Sequence, residues 1–288
     1  MQLQSGSAPV SEDRVAAAKP ALELRNVTKR FTTPNGSTYT ALKDMDLAVA
    51  AGEFCAIVGP TGCGKSTTLT LVSGLERPTV GTVEVHGQVV TEVTPGVGFM
   101  FQTDAILPWK SVLDNVAMGP RFRGMSKGAA ERQARDWIRL VGLTGFEDRF
   151  PHQLSGGMRK RVALAQSLIN EPAILLLDEP FSALDAQTRA IMSNELLRLW
   201  DATRPSVVFV THDLEEAIAL GDRVIVMTAG PGGSVKASFD INLPRPRVVQ
   251  EIRFEQRFVD LYQRIWEALR SEVDIAYSQA TDASREVA

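Results

Sequence analysis

Short, continuous apolar runs recur along the chain and predict buried strands. The clearest runs occupy residues 53–58, 173–177 and 206–210, and a further strand is expected around Ile225. These runs lack the alternation of apolar and polar residues that marks a half-exposed strand, which is typical of parallel strands covered on both faces. The pattern therefore predicts an α/β fold with a mainly parallel sheet.

Helical spacing replaces this pattern between about residues 103 and 168. One predicted helix carries apolar residues on a single face, namely Ala130, Ala134, Trp137, Ile138 and Val141. This stripe predicts a surface that faces the core rather than a cofactor site. A second stripe near the end of the chain predicts a final amphipathic helix, and its members are Phe254, Phe258, Leu261, Ile265 and Leu269.

We expect three parts along the chain. Residues 1–20 are predicted to form a flexible arm; they include acidic residues and lack a continuous apolar segment, so a secretory signal is not expected. Residues 21–250 are expected to form the main domain, with a helical part at about 103–168. Residues 251–288 are expected to form a helical extension.

Composition narrows the class of protein. The chain has 288 residues, enough for a substantial core, and a formal net charge of −3, which gives no electrostatic reason to expect nucleic-acid binding. Its two cysteines, Cys55 and Cys63, do not make a disulfide framework and favour a reducing cytoplasm. No stretch approaches the roughly eighteen apolar residues of a membrane span, so a transport role needs separate membrane subunits.

A glycine-rich segment follows the first apolar run. Residues 59–66 match the phosphate-binding pattern G-x-x-x-x-G-K-[ST], and a helix is expected from Ser66 onward. Glycines let successive backbone N–H groups turn toward phosphate oxygens, and the helix start adds its positive dipole end. Lys65 would then reach the β and γ phosphates, and the Ser66 hydroxyl would bind Mg²⁺. A glycine-rich turn that binds nothing is the competing interpretation, and the strand-to-helix context argues against it.

Cys63 lies inside this loop, beside Lys65 and a helix N-terminus. Such a position favours the thiolate and predicts a thiol that is accessible when the site is empty. Cys55 is expected to react slowly, because a buried strand shields it.

Acids and a histidine follow the other two apolar runs. Asp178 ends its strand where it can hold Mg²⁺, and Glu179 can orient and deprotonate an attacking water. His212 could hydrogen-bond the γ phosphate and hold Glu179 and the water in line. Adjacent acids are often a solvated loop, and a lone histidine is more often packed or solvated than catalytic. A phosphate loop in the same sheet favours ATP hydrolysis, with Lys65, Glu179 and His212 as catalytic residues.

These motifs, in this order, resemble those of the ATPase subunits of ABC transporters. The resemblance extends from about residue 22 to 247 and rests on residues 59–66, Gln102, Leu-Ser-Gly-Gly at 154–157, Asp178-Glu179, Ser-Ala-Leu-Asp at 182–185 and His212. It implies a P-loop NTPase core with a mainly parallel sheet, an antiparallel β subdomain and an inserted α-helical subdomain. It also implies ATP and Mg²⁺ as cofactors, and ATP sandwiched between the two chains of a homodimer.

The resemblance assigns roles by position. Phe31 looks like the aromatic residue that stacks on adenine, with an ordinary core phenylalanine as the competitor. Gln102 looks like the glutamine that touches Mg²⁺ and senses the membrane partner. Ser155 and the two following glycines look like the loop that contacts the γ phosphate held by the other subunit. Asp185 looks like the residue that links the two active sites across the dimer.

These assignments predict which residues bind the metal and which contact ATP. Metal ligands are expected to be Ser66, Gln102 and Asp178. Contacts with ATP are expected from Phe31, Gly59, Pro60, Thr61, Gly62, Cys63, Gly64, Lys65, Ser66, Thr67, Gln102, Ser155, Gly156, Gly157 and Asp185.

Several features resemble one subgroup of importers. Met158, the Leu-Pro-Trp segment at 107–109, the Gly-Pro-Gly segment at 230–232 and the Pro-Arg tail at 243–247 resemble the ATPases that energise import of nitrate, sulfonates or taurine. An extended, solvated linker is the alternative interpretation of the tail. The resemblance implies a permease whose short cytoplasmic helix docks beside the helical insertion, with Gln102 at the hinge. It also implies a secreted solute-binding protein and a peripheral location on the cytoplasmic face of the inner membrane.

Other functions remain open at this point. A soluble ABC ATPase in DNA repair or translation usually carries two cassettes or long coiled coils, whereas this chain has one cassette and no sustained heptads. A P-loop kinase or GTPase would lack the motif at 154–157 and His212 in this order. A non-enzymatic ATP-binding regulator is disfavoured by the intact Glu179. The ATPase of a different ABC transport system is the remaining alternative.

Overall fold

The computed structural model describes residues 19–103 and 105–286. The flexible arm predicted for residues 1–20 lies outside the described residues, apart from its last two positions. The strands, in chain order, are β1 (Leu22–Thr32), β2 (Thr38–Val49), β3 (Phe54–Val58), β4 (Val80–Val85), β5 (Gln88–Val89), β6 (Val97–Met100), β7 (Ile174–Asp178), β8 (Ser206–Val210), β9 (Arg223–Met227) and β10 (Val235–Asp240). The α-helices are α1 (Lys65–Ser73), α2 (Val112–Phe122), α3 (Lys127–Leu140), α4 (Gly156–Leu168), α5 (Ala186–Thr203), α6 (Leu214–Leu220), α7 (Val249–Ile252) and α8 (Gln256–Glu286).

The larger sheet carries the candidate site. Within the described residues it has six strands in the order β10-β9-β3-β8-β7-β6, and all of them run parallel except β10, which pairs antiparallel with β9. The three apolar runs are confirmed as β3, β7 and β8, and every residue of these strands is buried. Because the carboxyl ends of parallel strands share one edge, the loops that follow β3, β7 and β8 meet there.

The core lies on both faces of this sheet. Phe54, Ala56 and Val58 of β3 pack in the cluster that includes the helical region, whereas Cys55 and Ile57 pack in the cluster beneath the second sheet. This alternation follows from the two-residue period of a strand. β3, β7 and β8 are therefore mostly apolar, because each of these three strands has two buried faces.

A second, antiparallel sheet lies beside the first. Over the described residues its order is β2-β1-β4-β5, as the expected antiparallel β subdomain requires. β1 and β2 form a hairpin in which Phe31 pairs directly with Tyr39. The hairpin brings these two aromatic residues toward the loop that follows β3.

The helical stripe predicted at 130–141 is confirmed. Ala130, Ala134, Ile138 and Val141 are buried, and Trp137 is half-buried against the same core.

The buried Asn115 of α2 holds the 107–110 loop in place. Its Oδ1 accepts from Leu107 N at 2.7 Å, and its Nδ2 donates to Leu107 O at 3.1 Å. That loop presents Trp109, which is 70% exposed.

The Pro-Arg tail is packed, so its interpretation as a solvated linker is wrong. Arg247 is buried and donates to the carbonyl oxygens of Gly221 at 2.7 Å and Leu243 at 3.0 Å. Arg245 forms an ion pair with Asp222 at 2.7 Å. Burial lowers the pKa of Arg247 to about 10, and the nearby Arg245 charge acts in the same direction. Backbone carbonyl oxygens accept hydrogen bonds from Arg247 where water is excluded, although Arg247 Nε and one terminal nitrogen of Arg245 have no partner among the described residues.

The final amphipathic helix is present as α8, with one correction. Phe258, Ile265 and Leu269 are buried, but Phe254 precedes the helix and is 74% exposed. The chain turns between α7 and α8, where Phe254 N donates to Glu251 O, so Phe254 leaves the buried face. Among the described helices, none is long and apolar enough to cross a membrane.

Candidate functional site

A cavity of about 380 Å³ opens where the hairpin of the second sheet meets the loops of the first. Most of the phosphate-loop residues that are predicted to contact the nucleotide line this cavity. Its lining consists of Phe31, Tyr39, Ala41, Thr61, Gly62, Gly64, Lys65, Ser66, Thr67, Gln102 and Glu179. A larger cavity of about 430 Å³ lies between β6 and the helical region, and its described lining contains none of the predicted catalytic, metal or nucleotide residues.

The phosphate loop has the geometry that its sequence predicts. Gly64 has φ of 99°, and a Cβ there would lie 2.5 Å from Leu42 Cδ2 and 2.9 Å from Ala41 O, so both conformation and space require glycine. Lys65 is buried, and its Nζ donates to Gly59 O at 2.8 Å and to Pro60 O at 3.0 Å. The N-terminus of α1 has no side-chain cap, which leaves its first backbone N–H groups free to bind an anion.

Asp178 and Ser66 come together beside this loop. Ser66 Oγ donates to Asp178 Oδ1 at 3.1 Å, across the junction of α1 and β7. Burial raises the pKa of Asp178; the Ser66 hydrogen bond opposes this, and the adjacent Glu179 charge adds to it. A cation bound at this point would favour the ionised form of Asp178.

Glu179 follows β7 and contacts β8 and the segments that follow β6 and β8. Its Oε2 accepts from Gln102 Nε2 at 3.3 Å and lies 3.2 Å from His212 Nδ1, and its backbone N donates to Val210 O at 2.9 Å. Glu179 has φ of 43°, which is rare for a residue with a side chain. Such a conformation costs on the order of 1 kcal/mol and persists where the surroundings impose it, often at functional sites.

The predicted metal ligands fit Mg²⁺ by their chemistry. Ser66 and Asp178 offer oxygen donors in hydrogen-bond contact, and Gln102 reaches the neighbouring Glu179. Mg²⁺ takes one or two protein oxygens together with phosphate oxygens and water, rather than a cage of protein side chains. Accordingly, no group of three or more His, Cys, Asp or Glu residues in the described part of the chain is arranged to hold a metal.

Four predicted nucleotide contacts form a separate group. Ser155, Gly156, Gly157 and Asp185 are not among the described residues that line the cavity. Ser155 Oγ instead caps α4 by accepting from Met158 N at 3.3 Å. The two glycines face the start of α5, where Gly157 leaves no room for a Cβ beside Thr188.

Asp185 begins α5 as its cap. It accepts from Gln187 N at 3.1 Å and from Thr188 N at 3.0 Å, while its Oδ2 accepts from Thr188 Oγ1 at 2.6 Å. The Thr188 hydrogen bonds lower the pKa of Asp185. Within one chain, the predicted nucleotide contacts therefore form two groups, one around the cavity and one around the N-termini of α4 and α5.

The prediction of an accessible, reactive Cys63 is wrong. Its side chain is 0% exposed and packs in the core beneath the second sheet. Burial raises the pKa of the Cys63 thiol, although the Lys65 charge acts in the opposite direction from Nζ, 3.9 Å from Sγ. The side chain turns into the core, so at this position only the backbone can face a phosphate. Gly59 and Pro60 likewise lie outside the described lining of the cavity, and their carbonyl oxygens hold Lys65.

Two side chains that contact the candidate site were missed by the sequence analysis. Tyr39 lines the cavity opposite Phe31, and its hydroxyl donates to Gly62 O at 3.3 Å. The Asn35-Gly36 turn between two strand-like segments could have indicated the hairpin that pairs these residues. Lys160 is buried, and its Nζ donates to Gln102 O at 2.9 Å. Nothing in the sequence distinguishes Lys160 from a solvated lysine on a helix.

Comparisons with known proteins show which family and which solved fold the chain resembles. Residues 42–182 match the family model described as ABC transporter. An uncharacterized ABC transporter ATP-binding protein of Methanocaldococcus jannaschii is 44% identical, over 88% of this chain and 93% of that protein. The nitrate import ATP-binding protein NrtD of Synechococcus elongatus is 44% identical, over 80% of this chain and 86% of its own length. The dimeric structure of the ATP-binding cassette MJ0796 with ADP and Pi superposes with a TM-score of 0.69 at 32% identity, over 77% of this chain and 100% of that chain.

Proposed function

This chain belongs to the family of ABC transporter ATP-binding proteins, and on that premise we propose that it hydrolyses Mg-ATP to drive import of a small anionic solute through a separate permease. The observation that carries the proposal is the position of Glu179. Its carboxylate lines the same cavity as Lys65 and Ser66 and lies within hydrogen-bond reach of both Gln102 and His212.

The proposed chemistry assigns one task to each group. Lys65 leaves its carbonyl partners to meet the β and γ phosphates. Ser66, Asp178 and Gln102 would hold Mg²⁺, which would neutralise phosphate charge. Glu179 accepts a proton as the water oxygen bonds to the γ phosphorus. The bond to the bridging oxygen breaks, and ADP leaves with the electron pair. His212 hydrogen-bonds the γ phosphate and keeps Glu179 and the water in line.

The proposed dimer explains the four residues that lie away from the cavity. Ser155, Gly156, Gly157 and Asp185 would face the nucleotide of a second copy, while Phe31 and Tyr39 flank the adenine of their own chain. The backbone N–H groups of Gly156 and Gly157 at the start of α4 suit an anionic γ phosphate. The dimeric state of the MJ0796 cassette supports this arrangement.

The solute and the partners are the finer part of the proposal. The similarity to a nitrate import protein supports a small anion such as nitrate, an aliphatic sulfonate or taurine. The exposed Trp109, held on its loop by Asn115, suits contact with a permease at the membrane surface. A secreted solute-binding protein would select the solute, because the ATPase itself never touches it.

Purified protein tests the hydrolytic part. Lys65→Ala removes the charge that opposes the phosphates, so we expect Mg-ATP hydrolysis to fall by about 10²-fold or more while circular dichroism stays unchanged. Lys127→Ala, on the exposed face of α3, is the control and should retain wild-type turnover. Wild-type turnover in Lys65→Ala would overturn the assignment of the site.

Uptake by cells tests the import part. A strain whose gene carries Glu179→Gln should lose uptake of labelled nitrate, taurine or an alkanesulfonate, and the wild-type gene should restore it. Loss of a different solute would identify another ABC transport system. If the Glu179→Gln strain takes up every solute normally, while the purified wild-type protein hydrolyses ATP, a non-transport role would be favoured.

A further inference from the structure

The loop between β9 and β10 lies behind the phosphate loop, which itself lines the nucleotide cavity. We call residues 228–234 the glycine loop. A Cβ added to Gly230 would overlap the carbonyl oxygen of Gly62, and one added to Gly233 would overlap that of Cys63. The glycine loop therefore lies directly against the phosphate loop, with no side chain between them.

The same loop also holds the hairpin that lines the cavity. Gly232 N donates to Thr40 O at 2.7 Å, and Gly233 N donates to Ala41 O at 3.2 Å. Tyr39 and Ala41, on either side of Thr40, both line the cavity. A shift of the glycine loop would consequently move two walls of the nucleotide site together.

A carboxylate from the C-terminal helix hydrogen-bonds to this loop. Glu272 of α8 is 7% exposed; its Oε2 accepts from Ala229 N at 2.7 Å, and its Oε1 accepts from Lys236 Nζ at 2.7 Å. Burial opposes ionisation, but hydrogen bonds from Lys236 and from the Ala229 amide lower the pKa of Glu272 overall. Ala229 is the second residue of the glycine loop and Lys236 lies two residues after the loop, in β10, so Glu272 contacts the chain near both ends of the loop.

Packing of α8 does not explain this carboxylate. Phe258, Ile265 and Leu269 already bury the apolar face of the helix. A buried ion pair adds little net stability compared with an apolar residue of similar volume, because desolvation offsets the attraction. Its geometry points instead to a role in fixing the backbone that it holds.

We propose that Glu272 is a positioning residue for ATP binding: through Ala229 it fixes the glycine loop behind the phosphate loop and so couples docking of α8 to nucleotide affinity. The inference rests on the proposed function, since it concerns the same nucleotide site. Coupling between two sites is reciprocal. ATP must therefore strengthen the contact between Glu272 and Ala229 by the same factor by which that contact strengthens ATP binding.

Steady-state kinetics of the full chain test the first half of this coupling. Glu272→Ala should raise KM for ATP by about fivefold or more, the lower end of typical coupling between sites. kcat should stay within about twofold, because interactions equal in ground and transition states change KM alone. Glu272→Gln keeps an acceptor for the Ala229 amide and should recover part of the affinity. Glu267→Ala, at an exposed position of the same helix, is the matched control and should match wild type.

Hydrogen exchange in the wild-type protein tests the reciprocal half and does not depend on any variant folding. A non-hydrolysable ATP analogue should slow exchange of the Ala229 amide. The Val249 amide, which donates to the Asn194 side chain at 2.9 Å, is a matched reference and should not respond.

The possible results separate the two proposals. An unchanged KM in folded Glu272→Ala, or Ala229 exchange that is insensitive to the analogue, would overturn the role of Glu272 while leaving the ATPase assignment intact. Failure of the wild-type protein to bind the analogue would instead overturn the proposed function, and this inference with it.

Discussion

Glu179 and His212 meet at the ends of neighbouring strands, with Oε2 and Nδ1 3.2 Å apart. β7 and β8 pair in parallel register, with Asp178 opposite Val210, so the residues that follow each strand emerge side by side. Glu179 adds a left-handed backbone turn that directs its carboxyl group toward both His212 and Gln102. A candidate base thus receives its orientation from two separate segments of the chain.

Glu179→Gln keeps the shape of the side chain but removes its basicity. We expect ATP hydrolysis to fall by about 10² to 10⁴, the usual contribution of a positioned general base, while nucleotide binding persists. Glu171→Gln is the matched control, because Glu171 precedes the same strand, is exposed and has a similar φ of 49°. Turnover of Glu179→Gln within tenfold of wild type would show that Glu179 is not the base.

Ser155 tests the second group of nucleotide contacts. In the Glu179→Gln background, we expect ATP to produce a dimer on size-exclusion chromatography, and Ser155→Arg should abolish it by placing bulk against the partner's phosphate. Ser111→Arg is the control, since Ser111 caps α2 just as Ser155 caps α4. A dimer that survives Ser155→Arg would remove this loop from the interface.

The two cysteines should be unreactive in the folded protein. Burial raises the pKa of Cys55 to about 12 and also raises that of Cys63, so the nucleophilic thiolate is scarce at neutral pH. Maleimide labelling, followed by mass spectrometry, should be slow at both positions in native protein and fast in guanidinium. Rapid labelling of native Cys63, with protection by ATP, would show that the phosphate loop opens far enough to expose its side chain.

Glu216 should make stability depend on pH. Burial raises its pKa to about 7 from the ordinary value of 4.5; the Thr211 hydroxyl, which donates at 2.7 Å, opposes this, and the charge of Asp213 adds to it. Because the folded-state pKa is the higher one, the contribution of Glu216 is full below pH 4.5 and is lost as pH rises to about 7.

Urea unfolding at pH 5 and pH 8 measures this effect. Between these values, Glu216→Gln should gain about 2 to 3 kcal/mol in unfolding free energy relative to wild type, since its amide does not ionise. Glu215→Gln changes the exposed neighbour on the same helix and should show no such gain. A difference from wild type that does not vary with pH would contradict a neutral buried carboxyl at position 216.

Arg189 should connect His212 to the start of α5. Its Nη1 donates to Asp213 Oδ2 at 3.0 Å and its Nη2 to Leu184 O at 3.0 Å, so it joins the residues next to His212 and Asp185. Arg189→Met should lower kcat by up to about 10²-fold through misplacement of His212, with ATP binding retained.

Arg198→Met is the matched control for this change. Arg198 lies on the same helix and also donates to a carboxylate and to a backbone carbonyl, those of Glu195 and Leu140, but it is exposed. Stopped-flow or steady-state phosphate release measures both variants. Equal turnover in the two variants would assign Arg189 a purely structural role.

Local pattern predicted the parts of the site whose conformation depends on near neighbours. Apolar runs placed β7 and β8 within one residue of their observed bounds, which put Asp178 and His212 at one edge of the sheet. Glycine spacing predicted the loop at Gly64, because few other residues adopt its φ. The direction of side chains was harder to predict from local pattern. Phe254 fits the spacing of α8 but lies outside it, since helical periodicity does not mark the turn that precedes the helix.

The sequence by itself therefore determined which strands precede the candidate site residues, where the phosphate loop lies and where the acids follow β7. These features depend on local propensity and on motifs of fixed spacing. Only the tertiary structure decided that Cys63 turns into the core, that Arg247 is buried and that Glu272 reaches Ala229. Each of these outcomes depends on which distant segment packs against the residue. A charged or polar side chain is buried only when such a segment supplies its hydrogen-bond partners, and no local pattern records that supply.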